Sequence, residues 1–322
     1  MAVHIFGAIS SPSIANTALK ATADKADEKY DSAVGNTIRH IFYVDDCLKS
    51  CADVPTVVKL VKDLVSATGE GGFRLTKFVS NSSVVLKALP AEDCLVESDN
   101  FNLDMESLMT RALGMLWDLK EDSFKFSIEL KDNPFTRRGL LSTISSLYDP
   151  LGLLSPIILP AKKLLQELCQ VESLDWDERI PDELAERWQH WIQGLHLLEQ
   201  LSIPRCFKSS GFGNVTGSSL VLFSDASTVG YGVAAYLVLH DGNQVQSNLV
   251  MGKSRVSPKK VVTIPRLELT AATVSVKVAQ HILKELEFTV GKYDEWFHGP
   301  SFIASDYLPS QEYVCADCVD DK

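Results

Sequence analysis

Two adjacent carboxylates, Asp45 and Asp46, close the apolar run Ile41-Phe42-Tyr43-Val44. The run is too short for a helix and rich in β-formers, so it predicts a buried strand. Acids at the end of such a strand are costly to bury unless a cation or turn donors offset them. One chemistry for the pair is none at all, an exposed hairpin turn where Asp is common. The other is a Mg²⁺ site on a hairpin tip, serving phosphoryl transfer with two metal ions. A second acidic pattern stands further along. Leu220-Val221-Leu222-Phe223-Ser224-Asp225 predicts a buried strand ending in an acid, and Pro265-Arg266-Leu267-Glu268 opens a predicted helix. Carboxylates carried on two rigid elements can hold a hard cation. The alternatives are a strand-end turn cap for Asp225 and an exposed helix acid for Glu268.

The elements that must carry these groups follow from periodicity. A mostly helical stretch is expected from Ile14 to Lys29, then a charged loop before the first acidic strand. Asp53-Val54-Pro55 starts a helix, with Asp as cap and Pro in the first turn. Phe73 to Val79 and Ser83 to Leu89 read as strands, and Ala112 to Trp117 and Phe124 to Leu130 as a strand pair. Phe135 to Tyr148, Leu153 to Val171 and the stretch from Pro181 read as helices. Trp188 and Trp191 stand at helical spacing, which favours a core role over base stacking. Arg137 and Arg138 in a first helical turn oppose the helix dipole. Either an external anion or a carboxylate neighbour within the fold can compensate them. Ser209 to Ser219 is rich in Gly and Ser and reads as a linker.

At 322 residues, two or three domains are expected. Hydrophobic residues at 45% and charged residues at 23% are an ordinary globular balance. No apolar run reaches the length of a membrane span, and Met1-Ala2-Val3-His4-Ile5-Phe6 lacks the features of a signal peptide, so an intracellular, cytoplasmic location is expected. Seven irregularly spaced cysteines suggest reduced thiols. Cys315-Ala316-Asp317-Cys318 is a lone pair without the second pair of a zinc site. The net charge of −11 opposes general adhesion to nucleic acid, where phosphate neutralisation supplies most of the affinity. A groove can still be locally basic. Between Asp241 and Glu268 there is no acid, while Lys253, Arg255, Lys259, Lys260 and Arg266 all fall there. That run is either a nucleic-acid contact or an edge strand kept soluble by lysines.

Tyr43-Val44-Asp45-Asp46 resembles the signature of reverse transcriptases. Phe6-Gly7-Ala8-Ile9-Ser10-Ser11-Pro12 upstream, and Gly72-Phe73-Arg74-Leu75-Thr76-Lys77 and Leu113-Gly114-Met115-Leu116-Trp117 downstream, resemble neighbouring palm elements in order and spacing. Thr136-Arg137-Arg138 and Asp149-Pro150-Leu151-Gly152-Leu153-Leu154-Ser155-Pro156 are most similar to polyproteins of BEL/Pao-type LTR retrotransposons. The resemblance runs from about Val3 to about Glu287. It implies that Asp45 and Asp46 are catalytic metal ligands, with Tyr43, Val44 and Lys77 beside template and incoming nucleotide. By itself Lys77 is a surface lysine. Three strands followed by the helix of Glu268 resemble the start of an RNase H fold, which places Asp225 and Glu268 as catalytic Mg²⁺ ligands and Arg266 beside nucleic acid.

Two departures from the family weigh on activity. The further Asp of an RNase H site, on a later strand, is not evident; Asp294 is the nearest acid that could stand in. Glu295-Trp296-Phe297-His298-Gly299-Pro300 resembles a region well past RNase H, which suggests a junction near Tyr293. The palm strand that supplies a third polymerase acid lies upstream of the Gly…Ser-Pro element with which this chain begins. The expected architecture is therefore α+β and multi-domain. It comprises a partial palm over 1–91, a mainly helical thumb or connection over 92–207, a linker over 208–219, a truncated RNase H-like domain with a mixed sheet over 220–288, and a disordered tail over 289–322. The expected function is that of a retroelement polyprotein fragment related to RNA-directed DNA polymerase and RNase H, inactive as it stands. Its expected partners are an RNA–DNA hybrid or primer-template and other parts of the polyprotein. The alternatives are a non-catalytic nucleic-acid-binding remnant and a product that does not fold stably.

Overall fold

The computed structural model describes residues 9–44, 46–95, 109–112, 115–209, 211–286 and 290–297. The chain divides into two compact units, Met1–Phe124 and Lys125–Lys322. The architecture is α+β. Among the described residues no helix is long and apolar enough to cross a membrane.

The first unit is built on three helices. These are α1 (Ser11–Ala26), α2 (Ser32–His40) and α3 (Val54–Glu70). Leu19, Ala23, Val34, Ile38, Leu60 and Leu64 form their common core. α2 occupies the stretch expected to be a charged loop. Its start is fixed by Asp31, whose side chain accepts from the Ala33 amide at 3.0 Å. Asp53 caps α3 as expected, accepting from Thr56 N at 2.9 Å. Between α2 and α3 lies a minimal hairpin of β1 (Phe42–Tyr43) and β2 (Asp46–Cys47), antiparallel, with Tyr43 opposite Asp46. The long buried strand expected there does not form.

Two further strand expectations are corrected. Phe73 to Val79 makes only a single bridge, from Phe78 to Cys94. Lys77 takes a φ of +59°, which an extended strand cannot accommodate. Ser83 to Leu89 contains the short helix α4 (Ser83–Lys87), which buries the adjacent Val85 and Leu86. Burial there overrides the β-propensity of its valines. β3 (Met109–Ala112) and β4 (Met115–Asp118) form an antiparallel hairpin where one strand was expected. β5 (Ser123–Lys125) is shorter than the expected Phe124 to Leu130.

The second unit joins a helical layer to a sheet. α5 (Arg137–Ser146), α6 (Ser155–Leu168) and α7 (Asp182–Leu195) share a core of Leu140, Ile144, Ile158, Leu164, Leu168 and Trp188. Trp188 is 1% exposed and stacks on Trp191 at 4.7 Å, so the pair is core, as its spacing predicts. After β6 (Ser202–Pro204), the segment read as a linker is pinned to the sheet. Phe212 packs on Leu237 and Leu239, and Gly213 N donates to Asp241 at 3.1 Å.

The sheet contains β7 (Gly217–Ala226), β8 (Gly230–His240) and β9 (Val245–Val256), all antiparallel neighbours. α8 (Ile264–Glu285) covers one face, packing Val278, Ala279 and Ile282 on Leu220 and Leu222. β10 (Lys292–Phe297) then pairs parallel with β7, giving the order β10-β7-β8-β9. That strand lies within the stretch expected to be a disordered tail. The sheet is mixed, as expected, but carries one more strand than the sequence reading assigned.

Candidate functional site

β7 and β10 are parallel and joined through α8, so the helix must run back along β7. The packing agrees: the early β7 residues Leu220 and Leu222 meet the late α8 residues Val278 and Ile282. The end of β7 and the start of α8 therefore lie at the same end of the unit. Asp225 is the penultimate residue of β7, and Glu268 is in the first turns of α8. The topology brings these two predicted acids to one end of the sheet. Within β7, Leu220, Leu222 and Ser224 are buried while Phe223 and Asp225 are exposed. The alternation places Asp225 on the face opposite α8, at the rim of the sheet. Its carboxylate accepts from the Ala226 amide at 2.8 Å, the turn-cap geometry weighed from sequence. Glu268 is half-buried beside the sheet-facing Leu267.

Asp294 does not reach this rim. The register sets it opposite Val221, four residues before Asp225, or about 13 Å along the strand. Glu295 lies opposite Leu222, little nearer. Among the described residues no three His, Cys, Asp or Glu side chains gather as a metal site. Two carboxylates at one end of the sheet, with Asp225 turned to the face away from α8, are fewer than a two-metal centre needs.

In the first unit, Asp45 lies outside the described residues. Asp46 is exposed on β2, across from Tyr43. Tyr43 and Val44 are 69% and 74% exposed, so the hairpin tip is open to solvent. Val44 has a φ of +58°, a left-handed conformation that a β-branched residue rarely adopts. Beside the acids, burial pushes the Cys47 thiol up to about 11. Lys77 is exposed.

The paired arginines resolve to partners within the fold. Arg138 binds Asp177 through two bonds of 2.6 and 3.1 Å. Arg137 is buried and donates to the carbonyls of Leu168 and Val171, capping the C-terminal end of α6. Thr136 caps α5 through Gly139 N at 3.1 Å. The buried Nε of Arg137 is left without a hydrogen-bond partner among the described residues. In the basic run, Lys259 donates to the Cys169 carbonyl at 3.1 Å. Lys253, Arg255, Lys260 and Arg266 are exposed.

Sequence reading missed how the helical layer meets the sheet. Gly252 N on β9 donates to Leu151 O at 2.8 Å, and Ser254 Oγ donates to Ser155 O at 3.2 Å. Asp149 holds the intervening turn by accepting from Leu153 N and Leu154 N, each at 2.8 Å. The signal was present in Asp149-Pro150-Leu151-Gly152, whose glycine takes a φ of +70°.

A strand order of β10-β7-β8-β9, with a helix crossing from the third strand back to a parallel fourth, defines an RNase H-like sheet. The chain matches the family described as Pao retrotransposon-like RNaseH-like domain over residues 136–298 and belongs to it. That span includes the helical layer as well as the sheet. Among solved structures, the foamy viral protease-reverse transcriptase in complex with dsDNA is similar, at 15% identity and a TM-score of 0.53. The match covers 99% of this chain and 60% of that one. A second structure of that protein, designated dRH and also bound to dsDNA, matches at 14% identity and a TM-score of 0.51, over 97% of this chain and 50% of the other. The chain thus spans 50 to 60% of the length of these structures. No curated protein matches it. Residues 136–298 thus form a Pao retrotransposon-like RNaseH-like domain, and the fold of the chain is similar to that of the foamy viral protease-reverse transcriptase.

Proposed function

We propose that this chain binds an RNA–DNA hybrid, or a primer-template, across the rim of its RNase H-like sheet and does not cleave it unaided. One observation carries the reading: Asp225 and Glu268 share one end of the β7–α8–β10 unit, while the acids of β10 lie opposite Val221 and Leu222, well short of that end. In this reading Asp225 and Glu268 are what remains of a Mg²⁺ centre of the BEL/Pao type. When bound, Mg²⁺ supplies charge neutralisation for a phosphodiester. The carboxylates orient the ion and Arg266 contacts the backbone.

The first unit is read as a partial reverse transcriptase palm. Asp45 and Asp46 stand at its hairpin tip, with Tyr43, Val44 and Lys77 as the template and nucleotide side. The strained Val44 supports this reading, because backbone strain of about 1–3 kcal/mol persists only where the surroundings impose it and clusters at functional turns. The duplexes bound by the foamy viral structures support a nucleic-acid ligand of the same general shape. The test is direct. Purified chain should bind a labelled RNA–DNA hybrid with affinity that falls steeply with salt, and should not extend a primer on a poly(rA) template. A flat salt response, or extension above background, would overturn the reading.

A further inference from the structure

A cleft of about 780 Å³ lies where the helical layer meets the edge strand β9. Its charged lining is Lys162 of α6, Lys253 and Arg255 of β9, and Asp149, and His281 of α8 lines it too. Asp149 is already engaged by the Leu153 and Leu154 amides. Three fixed cations thus face one occupied carboxylate in a chain of net charge −11. The positive lining contrasts with the sign of the chain as a whole.

The register fixes where the cleft points. Lys253 pairs with Val233 and Arg255 with Tyr231, while Ser224 and Ala226 pair with those same two β8 residues from the other side. Ser254 stands level with Asp225 through Gly232, and pairing with Val233 and Tyr231 puts Lys253 and Arg255 on the sheet face that α8 covers, opposite to the face of Asp225. The cleft floor is built rather than loose. Leu151 O receives the Gly252 amide, and Gly152 abuts the Gly252 carbonyl so closely that no Cβ fits between them.

We infer that the Lys162–Lys253–Arg255 cleft is a phosphate-backbone contact that holds one strand of the duplex beside β9, on the sheet face that α8 covers. The inference rests on the proposed hybrid binding and assigns it a surface. Three cations that each neutralise one phosphate would contribute about three to the salt slope of hybrid binding. Leu141 and Ile144 line the cleft beside the cations.

The experiment uses the full chain and a fluorescein-labelled RNA–DNA hybrid, read by anisotropy across a salt series. The variant K162Q/K253Q/R255Q should flatten the slope of log affinity against log salt by about 3, and weaken binding at least about tenfold at low salt. A control, K208Q/K277Q/K284Q, removes the same charge from exposed positions that do not line the cleft and should leave the slope unchanged. Circular dichroism and thermal melting establish that both variants fold. Wild-type slope and affinity in the cleft variant, with the parent still binding, would overturn the cleft assignment and leave hybrid binding standing. Equal losses in both variants would overturn it too, since net charge alone would then explain them. No binding by the parent at low salt would overturn both readings together.

Discussion

Gly152 and Gly252 meet backbone to backbone. A Cβ on Gly152 would lie 1.8 Å from the Gly252 carbonyl oxygen, and Gly152 holds a φ of +70°. Both constraints admit only glycine. Gly152→Ala should therefore cost about 2–4 kcal/mol, from left-handed strain plus forced separation of the two segments. Gly194→Ala, where nothing lies within 4 Å of the added carbon in the last turn of α7, should be neutral or stabilising. Chemical denaturation of the two variants checks the contrast.

Trp188 and Trp191 give a second contrast. Trp188 is fully buried against the α5–α6–α7 core, and Trp188→Ala should cost about 3–5 kcal/mol. Trp191 donates its indole N–H to Ile157 O at 2.8 Å, so Trp191→Phe should cost about 1 kcal/mol. Neither change should alter hybrid affinity once protein is shown folded. A selective loss of binding in the stable Trp191→Phe variant would make the pair a stacking platform instead.

The sheet was legible because its signals are local. The apolar run from Leu220 to Phe223 that ends at Asp225, and Pro265 opening α8, each read within a dozen residues. β10 was not legible, since a parallel edge strand is defined by the open side of β7, more than seventy residues earlier. The same non-locality hid the docking of Gly152 on Gly252. In the first unit the apolar signature strand shrank to two residues because Val44 turns left-handed directly after Tyr43. Asp225 and Glu268 could be named from residue type and order. Which way Asp225 faces could be read only once Leu222 and Ser224 were seen buried.

Acid should weaken the fold through its capping and paired aspartates. Thr56 amide bonding to Asp53, the guanidinium beside Asp177, and the Gln244 and Asn243 amides at Asp241 each hold a carboxyl below the ordinary Asp value of 3.8. A depressed folded pKa means the stabilisation is fully present above the ordinary value and is lost as pH falls through the folded one. Urea midpoints should hold from pH 7 to about 4.5 and drop below about 4. Asp241→Asn should lower the midpoint at pH 7, and the deficit should shrink as the pH falls through the parent's depressed carboxyl range.

Thiol reactivity should separate the signature hairpin from the surface. Burial pushes Cys47 up to about 11, which leaves little thiolate at pH 8, whereas Cys206 is exposed. Iodoacetamide at pH 8, followed by peptide mass spectrometry, should label Cys206 at least about tenfold faster than Cys47. Comparable rates would mean that the β1–β2 hairpin opens readily.

The account depends on an RNase H-like rim that retains two acids and receives no third from β10. Incubating the full chain with an end-labelled RNA–DNA hybrid and Mg²⁺, at protein concentrations that saturate binding, tests this most directly. The predicted result is intact RNA after prolonged incubation, with saturable binding in the same samples. RNA cleavage that disappears in Asp225→Asn and Glu268→Gln would contradict it, by showing that the rim holds a complete catalytic centre.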